Sequence, residues 1–242
     1  MFTIDLFGNY FVHELVKRSD ESNLALIVET IIPDFISLAK SDVDLSFSFI
    51  DSNGTYVIQT IVDSVSSSVT QATIIDAIRG HEIELATHFL GLHVLKRCLA
   101  RFQPDLLVDI ISLLTKHELY LAKDRCGVIL LRTLYDTAPS AIQNTLRYKA
   151  FETLSELITD NYGFFFIQHL ITAGNKYFMD SRKYVIDFLS SDLHSFLNNK
   201  NACSIIEKCI TLCGMERINL IVCLCKNPEY FIDDAVSNLV RF

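Results

Sequence analysis

Read as apolar against polar positions, the chain repeats one short pattern seven times. The copies begin at Gly8 (GNYFVHEL), Gly54 (GTYVIQTI), Gly91 (GLHVLKRC), Gly127 (GVILLRTL), Gly163 (GFFFIQHL), Ala202 (ACSIIEKC) and Val236 (VSNLVRF). Positions are numbered from the residue after that first one. Positions 3, 4, 7 and 8 are apolar in each of the six complete copies, from Phe11, Val12, Leu15 and Val16 to Ile205, Ile206, Cys209 and Ile210. On a helix turning about 100° per residue, these positions form a single stripe. The stripe predicts core, because burying each such side chain contributes roughly 1.5–3 kcal/mol. Positions 1, 2 and 5 project from another side of the helix, within an arc of about 100°. They are also where the copies differ most.

The steps between copies are 46, 37, 36, 36, 39 and 34 residues. A period of that size predicts stacked units that bury their apolar faces against neighbours. Further amphipathic stretches lie between the phrases. One opens at Pro104 and carries Leu106, Leu107, Ile110, Ile111 and Leu114; the next has Pro139 placed 35 residues later. No stretch alternates with strand period. The expected fold is therefore all-α: an α-solenoid of two or three short helices per unit, forming one domain over residues 1–242, with the first and last of its seven repeats incomplete. The first interval is about ten residues too long, which predicts an insertion or lengthened loop in SLAKSDVDLSFSF from Ser37. The glycine before position 1 predicts a helix junction too tight for a Cβ.

Half the residues are apolar, and no low-complexity segment argues for disorder. No apolar run approaches the roughly 20 residues that span a bilayer, and the N-terminus lacks the features of a secretory signal. A soluble cytoplasmic monomer with no membrane segment is expected. The seven cysteines are odd in number; Cys98, Cys126, Cys203 and Cys209 fall in or beside the phrase and are expected as small buried residues. No paired CxxC with a nearby His predicts a metal, and no cofactor is expected. HExxH, GxSxG, Walker and dinucleotide motifs are absent, so no enzyme is expected.

The phrases LFGNYFVHEL, GLHVLKRCL, NYGFFFIQHLI and NACSIIEKCI resemble, in that order, the second, fourth, sixth and seventh repeats of the Pumilio (PUF) RNA-binding domain. The usual forms there are GNYV-IQ, GNHV-QKC, YGNYVIQHV and ASNVVEKC. The copies at Thr55, Val128 and Ser237 take the third, fifth and eighth places. The likeness covers nearly the whole chain and implies a Pumilio-like crescent of three-helix repeats, about 36 residues each, with single-stranded RNA on its concave side. It implies that positions 1 and 5 contact a base edge and that position 2 stacks between bases.

Carried over residue by residue, the likeness implies an RNA contact set. Asn9 and Tyr10 match a uracil-type reader, with His13 where Gln is usual. Thr55, Tyr56 and Gln59 keep a ring and a reading amide; Leu92, His93 and Lys96 keep a stacking imidazole and a cation. Val128 and Ile129 leave Arg132 as the polar member of their set. Phe164, Phe165 and Gln168 keep the Gln and a ring, while Cys203, Ser204 and Glu207 resemble the guanine-reading set, with Ser in place of Asn. Ser237, Asn238 and Arg241 depart from the expected Asn, Tyr and Gln. The implied function is binding of mRNA 3′-UTR sequence, UG-containing in this case, for post-transcriptional regulation of translation or stability. A protein partner on the convex face is also implied. Two alternatives stay open: a protein scaffold that has lost base reading, suggested by Leu92, Val128, Ile129 and Phe164, and a ribosome-biogenesis relative that binds structured RNA.

Charge sharpens the expectation. The net charge is −8, yet eleven residues from position 1 in each copy, and six in the last, together carry +4 and leave −12 to the remaining segments. Position 5 supplies Lys96, Arg132 and Arg241 against Glu207, and Lys96, Arg97 and Arg101 form a cationic helix face, either solvated or turned to RNA. Few phosphate contacts and modest affinity are expected.

Overall fold

The computed structural model describes residues 8–40, 53–172, 178–212, 214–215 and 217–226. These residues hold seventeen α-helices and no strand. They follow a cycle of long, short and phrase helix. After the first phrase, α1 (Gly8–Arg18), come α2 (Glu21–Ile31), α3 (Phe35–Lys40) and phrase helix α4 (Asn53–Ser64). The cycle returns as α5 (Ser68–Ile78), α6 (Glu82–Thr87) and α7 (Gly91–Arg101), then α8 (Pro104–Lys116), α9 (Glu118–Ala122) and α10 (Gly127–Thr137). It continues with α11 (Ser140–Glu152), α12 (Leu154–Thr159) and α13 (Gly163–Thr172), then α14 (Phe178–Ser191), α15 (Leu193–Leu197) and α16 (Lys200–Leu212). The last described helix is α17 (Arg217–Lys226).

Local chemistry starts these helices. Pro104 opens α8, where its fixed φ suits the first turn and its missing N–H leaves nothing unpaired. Asp20 caps α2 by accepting from the Asn23 amide at 2.9 Å. The phrase helices share a cap that the apolar pattern does not reveal. In the four copies whose start is described in full, the residue three before the opening Gly or Ala accepts from two backbone amides. His88 Nδ1 takes Leu90 and Gly91 at 3.3 and 3.2 Å; Asp124 Oδ1 takes Cys126 and Gly127 at 2.8 and 2.7 Å. Asp160 Oδ1 takes Tyr162 and Gly163, both at 2.8 Å, and Asn199 Oδ1 takes Asn201 and Ala202 at 2.9 and 3.0 Å. Asp5, Asp51 and Asp233 hold the same offset in the other three copies, outside the described residues.

The glycine expectation is borne out by contact. A Cβ on Gly91 would stand 2.9 Å from the Leu85 carbonyl oxygen, and one on Gly163 3.0 Å from that of Leu157; on Gly127 it would run into Leu121 backbone. These leucines occupy equivalent places in α6, α12 and α9, so each short helix presses its backbone onto the start of the next phrase.

Two compact units partition the chain: Met1–His117 with Ile129–Ala138, and Glu118–Val128 with Pro139–Phe242. In the first, α4 packs against α1, α3 and α7, while α2 meets α5 and α5 meets α8. Its core holds Val57, Ile58, Ile61 and Val62 of α4, Val94, Leu95 and Cys98 of α7, and Leu130, Leu131, Leu134 and Tyr135 of α10. Burial pushes the Cys98 thiol up, so it stays neutral among its apolar neighbours. In the second unit, α13 packs against α12, α14 and α16, around Phe166, Ile167, Leu170 and Ile171 with Ile205, Ile206 and Cys209. Glu118, at the start of α9, is buried there. Burial pushes its carboxyl up to about 7, with Lys149 opposing and Glu152 adding to the shift.

The apolar stripe is core throughout copies two, four and five. Leu99 and Ile210 at position 8 are half-buried. In α1 the expectation is corrected: Phe11 is 65% exposed and Leu15 is exposed too. Among the described residues this first phrase packs against α4. The expectation that no run is long and apolar enough to span a bilayer is also corrected. Glu21–Lys40 is a 20-residue helical run long and apolar enough, by length and composition, to cross a membrane. It breaks at Pro33 and packs Leu24, Val28, Phe35, Leu38 and Ala39 inward, against partners that include α4 and α5. Of the lengthened-loop segment, Ser37–Lys40 closes α3 and the rest lies outside the described residues.

Candidate nucleic-acid interface

The three variable positions do not share one degree of exposure. Position 2 is open: Tyr10 is 71% and Tyr56 54% exposed, His93, Ile129 and Phe165 are exposed, and Ser204 is half-buried. Position 1 corrects the expected open arc. Asn9, Thr55, Leu92 and Val128 are buried, and Phe164 and Cys203 are half-buried. Helix geometry explains it, because position 1 lies about 20° from position 8 of the apolar stripe, at the stripe's margin. Position 5 stands between these extremes: Gln59 is buried, His13, Lys96 and Gln168 are half-buried, and Arg132 and Glu207 are exposed. Ser237, Asn238 and Arg241 lie outside the described residues.

In the first unit, position 5 of one phrase meets position 6 of the next. Thr60 Oγ1 donates to the Tyr56 carbonyl at 2.9 Å, which makes it the acceptor for His13 Nδ1–H at 2.7 Å. Burial holds the His13 imidazole below its ordinary range, with Lys17 adding to the effect and Glu14 opposing it. At the next junction Arg97 Nε donates to Gln59 Oε1 at 2.9 Å, and Gln59 Nε2 donates to Thr55 Oγ1 at 3.3 Å. The Gln59 amide is thus engaged at both ends. Asp63 fixes the cation: it pairs with Arg97 Nη1 and lies 3.4 Å from Arg101 Nε, while Arg101 Nη2 donates to the Asp63 carbonyl at 3.2 Å. These groups line an open cavity of about 540 Å³, with His93, Lys96 and Thr133 on its walls. Burial, with Lys96 and Arg97 alongside, holds the His93 imidazole below its ordinary range. It offers a neutral flat ring at pH 7.

The second unit arranges its Gln differently. Gln168 Nε2 donates to Ser204 Oγ, position 2 of the next phrase, at 2.8 Å. Phe164 and Phe165 rest on each other with ring centroids 4.0 Å apart. Cys203 Sγ points inward, donating to the Leu197 carbonyl at 3.1 Å, and burial pushes its thiol up. Glu207 is exposed and forms no ion pair with described residues. Sequence reasoning gave Asp63 no role and left Arg97 and Arg101 undecided; their run of charge was visible, and their partners were not.

The family model for the Pumilio-family RNA binding repeat matches residues 1–32, 50–79 and 196–223, which carry the first, second and sixth phrases. A Pumilio domain-containing protein of Schizosaccharomyces pombe is 24% identical over 208 residues, covering 86% of this chain and 28% of its own length. Pumilio homolog 9 of Arabidopsis thaliana is 24% identical over 241 residues, covering 98% of this chain and 40% of its own length. The solved RNA-binding domain of yeast Puf5p bound to SMX2 RNA matches with a TM-score of 0.78 at 20% identity, covering 99% of this chain and 70% of that one. The chain thus carries Pumilio-family repeats at three of its phrases and resembles Pumilio proteins over most of its length. Its fold class is the all-α solenoid of PUF domains. It spans less than half the length of these two curated Pumilio relatives. Position 1 of the middle copies is apolar, at Leu92, Val128 and Phe164, where the usual Pumilio phrase has Asn.

Proposed function

We propose that the chain binds single-stranded RNA through positions 2 and 5 of its phrase helices and acts in post-transcriptional control of messenger RNA. One observation carries the reading: position 2 stays open in successive phrase helices, at Tyr10, Tyr56 and His93 in one unit and Phe165 in the other. A soluble helical array has no packing reason to leave rings facing water at the same place in successive helices. Unstacked bases give one, since stacking on a ring contributes about 1–3 kcal/mol per base. The fold likeness to a PUF domain solved with RNA points the same way.

Selectivity comes from position 5. The exposed Glu207 carboxylate accepts from the guanine N1 and N2 hydrogens, and Gln168 needs only to exchange its Ser204 contact to reach a base edge. With position 1 sealed in the first unit, fewer side chains read each base there, so preference is weaker at those sites. The test is selection from a randomised RNA library, read by sequencing. A guanine preference at one site is expected, and Glu207→Gln should remove it. Unchanged guanine preference in that variant would sink the assignment of Glu207. No RNA retained at low salt would sink RNA binding itself and favour a protein scaffold.

A further inference from the structure

We infer that the cleft between α4 and α7 is a phosphate site for the RNA strand, held ready by Asp63. This rests on the RNA-binding reading above and deepens it. The cleft gathers Lys96, Arg97 and Arg101 against the single carboxylate of Asp63, a local positive surplus in a chain of net charge −8. Arg101 lies in the last turn of α7, where a cation offsets the helix dipole, and that accounts for one of the three cations. It does not account for their tethering. Arg97 spends one N–H on Gln59 and one on Asp63, and Arg101 is anchored to the same aspartate by side chain and backbone. A guanidinium carries five donors, so Arg97 keeps three for another acceptor, in a fixed plane beside an open cavity of about 540 Å³.

The rest of the cleft selects among ligands. His93 presents a neutral ring on the wall, suited to a base stacked next to the phosphate. Gln59 cannot read a base edge without giving up Arg97, so this copy contributes affinity through the backbone and little sequence preference. Phosphate contacts position a strand without specifying it. A fixed guanidinium plane suits the paired oxygens of a phosphate better than a mobile ammonium does.

The experiment uses the full chain and a short fluorescent oligouridylate across a salt series. In the double variant Arg97→Gln with Arg101→Gln, affinity at low salt should fall about tenfold, and the slope of log K against log salt should flatten by about 0.7 for each phosphate no longer neutralised. Base preference from library selection should stay as in the wild type at the sites of the other copies, while losing Arg97 frees the Gln59 amide at this one. Binding with an unchanged slope overturns the site, as does a base preference lost at the other copies. Failure of the wild type to retain any RNA removes the proposed function and this site with it. A probe independent of the variants walks a single neutral methylphosphonate along the RNA against the wild-type chain. One sensitive position is expected, and a uniformly insensitive strand overturns the inference.

Discussion

Two junctions carry the same amide at the same place and use it differently. Where α4 meets α7, Gln59 is buried, bonded to Arg97 and Thr55, and walled by charge. Where α13 meets α16, Gln168 is half-buried, bonded to the neutral hydroxyl of Ser204, with the open carboxylate of Glu207 on the same helix as that serine. The scaffolds beneath are alike: a sealed stripe of four apolar residues on each Gln-bearing helix, and a glycine notch at Gly91 and Gly163. The lesson is that a reading residue is defined by its neighbour on the next helix. An arginine with an aspartate partner turns Gln59 into a strut, while a serine leaves Gln168 exchangeable.

The comparison can be broken most forcefully at the notch. Gly91→Val and Gly163→Val should each destabilise the chain by about 3 kcal/mol, because the added carbons meet a backbone carbonyl that cannot swing aside. Thermal unfolding should show similar losses for both; a large loss at one and none at the other would mean the two scaffolds differ after all. Next in size is Glu118, which marks the second unit. Its folded carboxyl titrates near 7 against an ordinary value of 4.5, so the folded state keeps its proton longer than the unfolded one. Stability is then full below about pH 4.5 and declines as pH rises toward 7. Glu118→Gln should remove that decline, with an advantage of about 2 kcal/mol at pH 8 and none at pH 4, read from denaturant melts at both values. The smallest effect separates the two amides. Gln168→Ala should weaken base preference at its site by about 1 kcal/mol, while Gln59→Ala should leave preference nearly unchanged. Library selection on both variants decides it, and equal losses would erase the distinction.

Much of the fold was legible in the sequence, and part of the site was. The stripe at positions 3, 4, 7 and 8 is a local property, set by 3.6-residue periodicity, and needs no knowledge of neighbours. The burial of Thr55 and Leu92 was legible too, since position 1 lies so close in angle to position 8; grouping it with positions 2 and 5 in one arc hid that. The recurring Asp or Asn three residues before the phrase was visible as spacing, and its meaning as a cap follows from the two free amides at a helix start. The grip of Asp63 on Arg97 was not legible. It joins residues 34 apart, and their meeting depends on how one phrase helix is rotated against the next. Glu118 is similar: a lone acid in a helix reads as surface until packing encloses it.

The cap and the notch travel together with each phrase. Every phrase whose start is described in full thus brings its own amide acceptor, and Gly91, Gly127 and Gly163 add a seat for the preceding short helix. Such a unit is portable: it can be duplicated, dropped or given a longer connection, as intervals from 34 to 46 residues attest, without rewriting the instructions of its neighbours. Chains built this way change length by whole modules, and their surfaces are free to drift one module at a time.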